Sequence, residues 1–396
     1  MHPVEEIVGS KWRSLMGKCI LLGVSYSVSL YKSVDLAREL IKRGAKVKVM
    51  MTKKASEIVS PELFHWATGN KPIVDLTGET EHVSLAKECD LMLISPATLN
   101  VSTKLAWGIA DENIPLTAIN FLGYQKKVIV TPVMHKQMTL TPQYRETISR
   151  LREMGVRVLE PVEEDGRLKI PDVEFIANVA ETLTLRDEDF KGKKVLVTSG
   201  PTREYIDRIR FISNPSSGKM GAALAWELFA RGADVVVVHG PSIAKYPPWV
   251  KKIAVETTEE MAEVVKELGE FDMAFFAAAP ADYRPKNFFD GKLDSKNEVT
   301  LELVPTPKVA LNVNAKRKVG FTAVVGEDVI DTALQKLQSY NFDMIVANRV
   351  DRKDIGFTSD MNEVFIITKD GKVRHVPKMP KLLVARSVVD EAKGLL

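Results

Sequence analysis

The chain has 396 residues, enough for two or three domains with full cores. Its 45% hydrophobic and 27% charged residues exclude extended disorder, and 55 Lys+Arg against 52 Asp+Glu leave a net charge of +3, too little for a nucleic-acid surface. No apolar run nears the roughly 18 residues of a membrane span, the amino terminus lacks a signal-peptide core, and two cysteines without a CxxC offer neither a disulfide framework nor a zinc site.

Lys18–Ser25 (KCILLGVS) is a short apolar run that reads as a buried parallel strand. The spacing then predicts a helix over Lys32–Arg43, closed by Gly44, and a second strand over Ala45–Met51, which together make a βαβ unit. Further strands are expected at Asp90–Ser95, Leu116–Phe121 and Lys127–Thr131. Asp165-Gly166 in VEEDGRLKI signals a hairpin that projects a charged flap. The polar stretch Leu185–Lys194 marks a boundary, and Val195–Ser199 restarts the strand pattern. A helix over Met220–Ala230 follows, and Arg-Gly-Ala recurs (KRGAKVKVMM, then ARGADVVVVHG) because a capping glycine feeds each strand. FIITKDGKVRHV reads as a hairpin at Asp370-Gly371, and Lys381–Lys393 as a closing helix.

The most informative stretch is Thr198–Ala225, TSGPTREYIDRIRFISNPSSGKMGAALA. A strand ends at Ser199, and Ser216-Ser217-Gly218-Lys219 opens the next helix, so small residues, free N–H groups and a lysine meet at a helix N-terminus suited to phosphate. The GxxxxGK[ST] spacing of a P-loop is missing. AAAPADYRP places Asp282 just past another strand, and GKLDSKNEVTLELVPTPKV supplies Lys292 on a loop before an alternating strand. Asp282 suits a metal or a nucleotide hydroxyl, and Lys292 suits a phosphate. In the first half, Ser25, Ser27 and Ser29 follow the first strand, Thr52 the second, and Ser95–Asn100 a later one, all at strand carboxyl ends.

Thr198–Gly221 resembles the signature of the phosphopantothenate–cysteine ligases, the second half of the bifunctional coenzyme A biosynthesis flavoproteins. The likeness continues through Ala278–Arg284, Lys292, Gly320-Phe321, Lys336 and Asn341–Asn348. It implies activation of the phosphopantothenate carboxylate by CTP, loss of pyrophosphate, and attack by the cysteine amine. Asn214 would then act on the acyl-cytidylate, with its amide donating to the oxyanion, and Arg210 would assist. Lys292, Asp282, Phe321 and Lys336 would line the CTP and Mg²⁺ site beside Ser217, Gly218 and Lys219. Three segments depart from that pattern: Thr306-Pro307-Lys308-Val309 replaces Asn-Pro-Asp-Ile, Tyr340 replaces a second lysine after Lys336, and the acidic residue usual soon after Gly320-Phe321 is absent, with Val324-Val325 nearby.

Gly23–Lys32, Met51-Thr52, His82, Ser95–Asp111 and Pro132–Met138 are similar to the flavin-dependent cysteine decarboxylases. That likeness implies FMN, oxidation of the substrate thiol, loss of CO₂ and return of the electrons. His82 would be the active-site histidine; Ser27, Thr52, Thr98, Asn100 and Met134 would contact the flavin, and His135 would hold the substrate carboxylate. His135 stands where asparagine is usual, Tyr26 where glycine is common, and the flap Val162–Pro171 lacks the usual cysteine, leaving Lys169 or Glu164 as proton sources.

The expectation is therefore an α/β protein of two doubly wound, Rossmann-like domains: an FMN-dependent decarboxylase over residues 18–186 and a ligase over residues 191–396. It is expected to be a cytoplasmic homo-oligomer that uses FMN and Mg²⁺, takes CTP as co-substrate, and binds neither membrane nor nucleic acid. The alternative keeps the ligase and makes the first domain a flavin-binding structural or regulatory module. A tandem NAD-dependent dehydrogenase fails on the missing glycine fingerprint.

Overall fold

The structure is a computed structural model that describes residues 2–294, 296–326, 328–350, 356 and 359–396. The chain divides into two compact units, Met1–Asp187 and Glu188–Leu396.

The first unit runs β1 (Cys19–Val24), α1 (Lys32–Lys42), β2 (Lys46–Met51), α2 (Lys53–Ile58), α3 (Pro61–Thr68), α4 (Glu81–Glu88), β3 (Leu91–Ala97), α5 (Leu99–Trp107) and α6 (Asn113–Gly123). It continues with β4 (Lys127–Pro132), α7 (Lys136–Thr139), α8 (Pro142–Glu153), β5 (Arg157–Val158), β6 (Val162–Glu164), β7 (Arg167–Lys169) and α9 (Val173–Leu185). The sheet order is β2-β1-β3-β4-β5, all parallel. Every residue of β1 and β3 is buried, as expected of parallel strands covered on both faces. Strand order reverses between β1 and β3, which opens a crevice at their carboxyl ends.

Two expectations need correction here. Leu116–Phe121 is not a strand but lies inside α6, where Ile114, Thr117, Ala118 and Phe121 are buried at helical spacing. The cysteines are not separate either: Cys19 and Cys89 form a disulfide with 4.4 Å between their Cα atoms, because parallel pairing of β1 with β3 brings together residues 70 apart in sequence.

The second unit runs β8 (Lys194–Ser199), β9 (Glu204–Tyr205), β10 (Phe211–Ile212), α10 (Lys219–Ala230), β11 (Asp234–His239), β12 (Lys251–Ala254), α11 (Thr258–Glu267) and β13 (Glu270–Phe276). It continues with β14 (Tyr283–Pro285), β15 (Leu303–Pro305), β16 (Asn314–Val324), α12 (Val329–Ser339), β17 (Met344–Arg349), β18 (Met361–Thr368), β19 (Val373–Pro380) and α13 (Lys381–Lys393). Among the described residues the main sheet is ordered β12-β11-β8-β13-β16-β17-β18-β19, parallel as far as β17 and antiparallel beyond. Its order reverses between β8 and β13. The alternating strand expected after Lys292 is only the short β15, paired with β14.

The Arg-Gly-Ala repeat has a structural role. Arg43 and Arg231 are both fully buried and ion-paired, Arg43 with Glu181 (2.8 Å) and Glu39 (2.9 Å), Arg231 with Asp189 (2.7 Å) and Asp390 (2.8 Å). A buried guanidinium is tolerated only when its charge is met in this way.

Candidate functional sites

In the second unit, β8 and β13 end side by side: the Ala279 N–H donates to the Gly200 carbonyl at 2.9 Å. Gly218 caps α10 with φ +74°, a conformation that favours glycine. A Cβ at Gly221 would lie 2.2 Å from Ser199 Oγ, so only glycine lets α10 pack this closely on β8. The result is a cleft of about 450 Å³ lined by Asn214, Ser216–Lys219, Ala277–Asp282, Thr306–Lys308, Phe321, Lys336, Tyr340 and Lys381. Of the expected residues, Asn214, Ser217, Gly218, Lys219, Asp282, Phe321 and Lys336 converge there.

Their partners refine their chemistry. Asn214 Nδ2 donates to the carbonyls of Pro280 (2.9 Å) and Ala279 (3.3 Å). Both amide hydrogens are engaged, so Asn214 offers its oxygen as an acceptor rather than the expected oxyanion donor. Lys336 Nζ donates to the Thr322 hydroxyl at 2.8 Å, a neutral partner, whereas Lys219 pairs with Asp360 at 2.5 Å. Asp282 accepts from Lys308 Nζ at 2.6 Å, and this bond holds the Lys308 ammonium above its ordinary pKa. Among the described residues no three His, Cys, Asp or Glu side chains are grouped to hold a metal ion. Among the described residues that line the cleft Asp282 is the sole carboxylate, so a Mg²⁺ here would be held by that one group together with the phosphates of a bound nucleoside triphosphate.

Arg210 and Lys292 do not line the cleft. Arg210 donates to Asp207 (2.9 Å) and to the Leu293 carbonyl (3.1 Å), which ties the turn before β10 to the loop that carries the exposed Lys292. Sequence reasoning passed over Lys381, the first residue of α13. It is only 6% exposed, donates to the Gly356 carbonyl at 2.8 Å, and burial pushes its pKa down to about 8. Nothing in PKMPKLL marks it as a cleft residue.

In the first unit, hydroxyl caps build the sheet edge. Thr52 caps α2 through the Ala55 N–H (3.3 Å), Thr98 caps α5 through the Val101 N–H (3.4 Å), and Ser27 accepts from the Ser29 N–H (3.2 Å). Ser25 binds the Pro96 carbonyl and accepts from the Thr98 N–H, locking the loops after β1 and β3 together. An open cavity of about 590 Å³ is lined by Tyr26, Thr52, Lys53, Lys54, Thr98, Asn100, Glu112 and Asn113. Asn113, missed in the sequence, braces it by donating to the carbonyls of Met51 (2.7 Å) and Val74 (2.8 Å). The volume and the capping hydroxyls fit a flavin, and Lys53 and Lys54 are the cations for its phosphate on a rim that also carries Glu57, Asp75, Asp111 and Glu112.

Thr52, Thr98 and Asn100 come together in this cavity, while Ser27, Met134, His82 and His135 lie outside its lining. His82, on α4, has a buried Nδ1 with no hydrogen-bond partner, and His135 is exposed at the start of α7. The flap β6–β7 turns at Asp165 (φ +51°) and Gly166 (φ +72°), and Lys136 grips it through Glu163 at 2.6 Å. Lys169 pairs with Glu164 at 2.9 Å, and that hydrogen bond raises its pKa, which makes it a weaker acid.

Residues 190–395 match the family model described as the DNA/pantothenate metabolism flavoprotein C-terminal domain, and residues 9–184 match the model described as flavoprotein. The chain is 38% identical over 412 aligned positions to the coenzyme A biosynthesis bifunctional protein CoaBC of Thermococcus kodakarensis, covering 100% of both chains. It is 36% identical over 403 positions to the protein of the same name from Bacillus subtilis, covering 96% of this chain and 98% of the other. A crystal structure of the C-terminal domain of a CoaBC protein aligns with 53% of this chain and 98% of its own, at 33% identity and a TM-score of 0.45. Among the described residues no helix is long and apolar enough to cross a membrane.

Proposed function

The chain belongs to the family of coenzyme A biosynthesis bifunctional proteins, and we propose that it divides that work between the two sheet-edge clefts just described. It is a flavoprotein enzyme of coenzyme A biosynthesis with ligase and decarboxylase activities. The alternative in which the first unit is only a structural or regulatory module is not favoured, because both halves align with bifunctional relatives over 96–100% of this chain. The ligase is assigned to residues 191–396 and the decarboxylase to residues 18–186.

The observation that carries the ligase assignment is the cleft between β8 and β13. A carboxylate is a poor electrophile until its oxygen becomes a leaving group, and CTP supplies that activation as co-substrate. The open end of α10, with Ser217, Gly218 and Lys219, and Lys336 across the cleft receive the phosphates. Phe321 lines the wall for the nucleotide. Asn214, held by two backbone carbonyls, presents its oxygen to an N–H of the cysteine amine and orients that nucleophile toward the acyl-cytidylate. Arg210 fixes the turn around Asp207, and Lys292 is a surface cation outside the cleft in this arrangement.

In the first unit, FMN when bound supplies reversible two-electron oxidation of the substrate thiol. Thr52, Thr98 and Asn100 hold the flavin, with Ser27 and Met134 at its margin. His82 moves the proton that accompanies the thiol chemistry, and His135 binds the substrate carboxylate. A homo-oligomer is proposed, since exposed Tyr26, Val28 and Tyr31 flank Ser27 and leave an apolar patch beside the flavin loops. The test is to supply phosphopantothenate, cysteine and CTP. Pyrophosphate release that needs CTP, followed by CO₂ from a preparation with flavin absorbance, is expected. CTP-independent coupling, or a colourless preparation that still releases CO₂, overturns the reading.

A further inference from the structure

We infer that Lys308 is the ammonium that meets the nucleotide's polyphosphate on the β13 side of the cleft, and that Asp282 is the carboxylate it leaves when nucleotide binds. The inference rests on the ligase reading above.

The starting point is the free-state partner of each cleft lysine. Lys219 is bonded to Asp360, Lys336 to a neutral hydroxyl, and Lys381 is buried against the Gly356 carbonyl. Lys308 alone among these is paired with a carboxylate that itself lines the cleft. The side chains are 43% and 69% exposed, so water screens the pair and it adds little to stability. A triphosphate carries several negative charges where Asp282 carries one, so exchange of partners favours the nucleotide.

The loop is built to hold Lys308 in place. The Thr306 N–H donates to the Asp282 carbonyl at 3.0 Å, and the Thr306 hydroxyl to the Ala281 carbonyl at 2.6 Å. Tyr340, four residues after Lys336, is a further polar neighbour of Lys308. Residues four apart share a helix face, so a cation at 340 would stand beside Lys336. Here the phenol occupies that spot and the charge arrives from the loop at 308. Asp282 is thereby the resting counter-ion of Lys308, given up to the nucleotide.

The experiment is calorimetric CTP binding to the full chain, with ligation kinetics alongside. Lys308→Met is expected to weaken CTP binding at least tenfold while KM for phosphopantothenate stays within twofold. Adding Tyr340→Lys to Lys308→Met is expected to restore CTP affinity to within about threefold, a rescue that repair of a merely structural defect would not give. Asp282→Asn is expected to tighten CTP two- to fivefold, because Lys308 loses its competing carboxylate. Unchanged CTP affinity in Lys308→Met, failure of the rescue in a folded double variant, or tenfold weaker binding in Asp282→Asn overturns the inference. If the wild type binds CTP in a Lys308-dependent way but makes no product, the ligase reading fails and this one stands; normal ligation with Lys308-independent binding gives the reverse.

Discussion

The two clefts occupy the same place in their folds, the carboxyl edge where strand order reverses, yet they are built differently. In the second unit, charged groups from five separate segments line the cleft, and the lysines rest on exposed carboxylates or a neutral group: Lys219 on Asp360, Lys308 on Asp282, Lys336 on a hydroxyl. In the first unit, neutral hydroxyls of Ser25, Ser27, Thr52 and Thr98 brace the backbone, and His82 keeps a buried, unpartnered Nδ1. The contrast fits the cargoes proposed for the two clefts. A nucleotide that arrives and leaves each turnover needs cations with weak resting partners, whereas a resident cofactor needs a rigid cradle.

The sharpest way to break this comparison is at His82. His82→Asn should lower CO₂ release by roughly a hundred- to ten-thousandfold, the usual range for a lost proton-transfer group, while flavin absorbance and ligation are retained. Loss of flavin along with activity would make His82 part of the cradle instead. Asn214→Asp removes the Nδ2 hydrogens that anchor the side chain to the Ala279 and Pro280 carbonyls, so the acceptor oxygen loses its place; ligation should fall by about a hundredfold, with pyrophosphate release retained and decarboxylation of supplied phosphopantothenoylcysteine unchanged. If coupling proceeds normally, the amide has no part in holding the amine.

Smaller effects sharpen the structural side. Gly221→Ala forces a Cβ against Ser199, at a cost of about 1–3 kcal/mol. That should lower Tm by about 3–10 °C in a unit of this size, and an unchanged Tm would mean that α10 does not pack so closely on β8. Lys381 gives the mildest signal. Unfolded, it titrates near its ordinary 10.5; folded, at about 8. Between those values the unfolded chain holds a proton that the folded chain has lost, so stability rises from pH 8 to 10.5, and the penalty is fully present below pH 8. Relative to Lys381→Met, the wild type should gain about 1 kcal/mol between pH 7 and pH 9. Parallel pH profiles for the two proteins would contradict the burial of a charged lysine.

Local signals in the sequence locate most elements. The buried runs of β1 and β3, the capping glycines Gly44 and Gly232, the flap turn at Asp165-Gly166 and the closing helix Lys381–Lys393 each depend on neighbours within a few residues. Leu116–Phe121 misleads because a short apolar run carries too little periodicity to separate a strand from a buried helix face. Features created by pairing across the sheet are hidden for another reason. The Cys19–Cys89 bond, the Lys308–Asp282 pair and the burial of Lys381 against the Gly356 carbonyl join residues 70, 26 and 25 positions apart, which only the folded pairing of strands and loops brings together. The motif residues of the ligase cleft are legible because they lie on contiguous loops at strand ends; the hydrogen bonds that turn Asn214 from donor to acceptor are not.

The division of labour is tested most directly by following the cysteine carboxyl carbon. The full chain, supplied with phosphopantothenate, CTP and cysteine labelled at that carbon, should carry the label into phosphopantothenoylcysteine and then release it as CO₂. In His82→Asn the label should stop in phosphopantothenoylcysteine, and in Asn214→Asp it should stay in free cysteine. Labelled CO₂ from His82→Asn at the wild-type rate, or normal incorporation by Asn214→Asp, would contradict the assignment of the two steps to the two clefts.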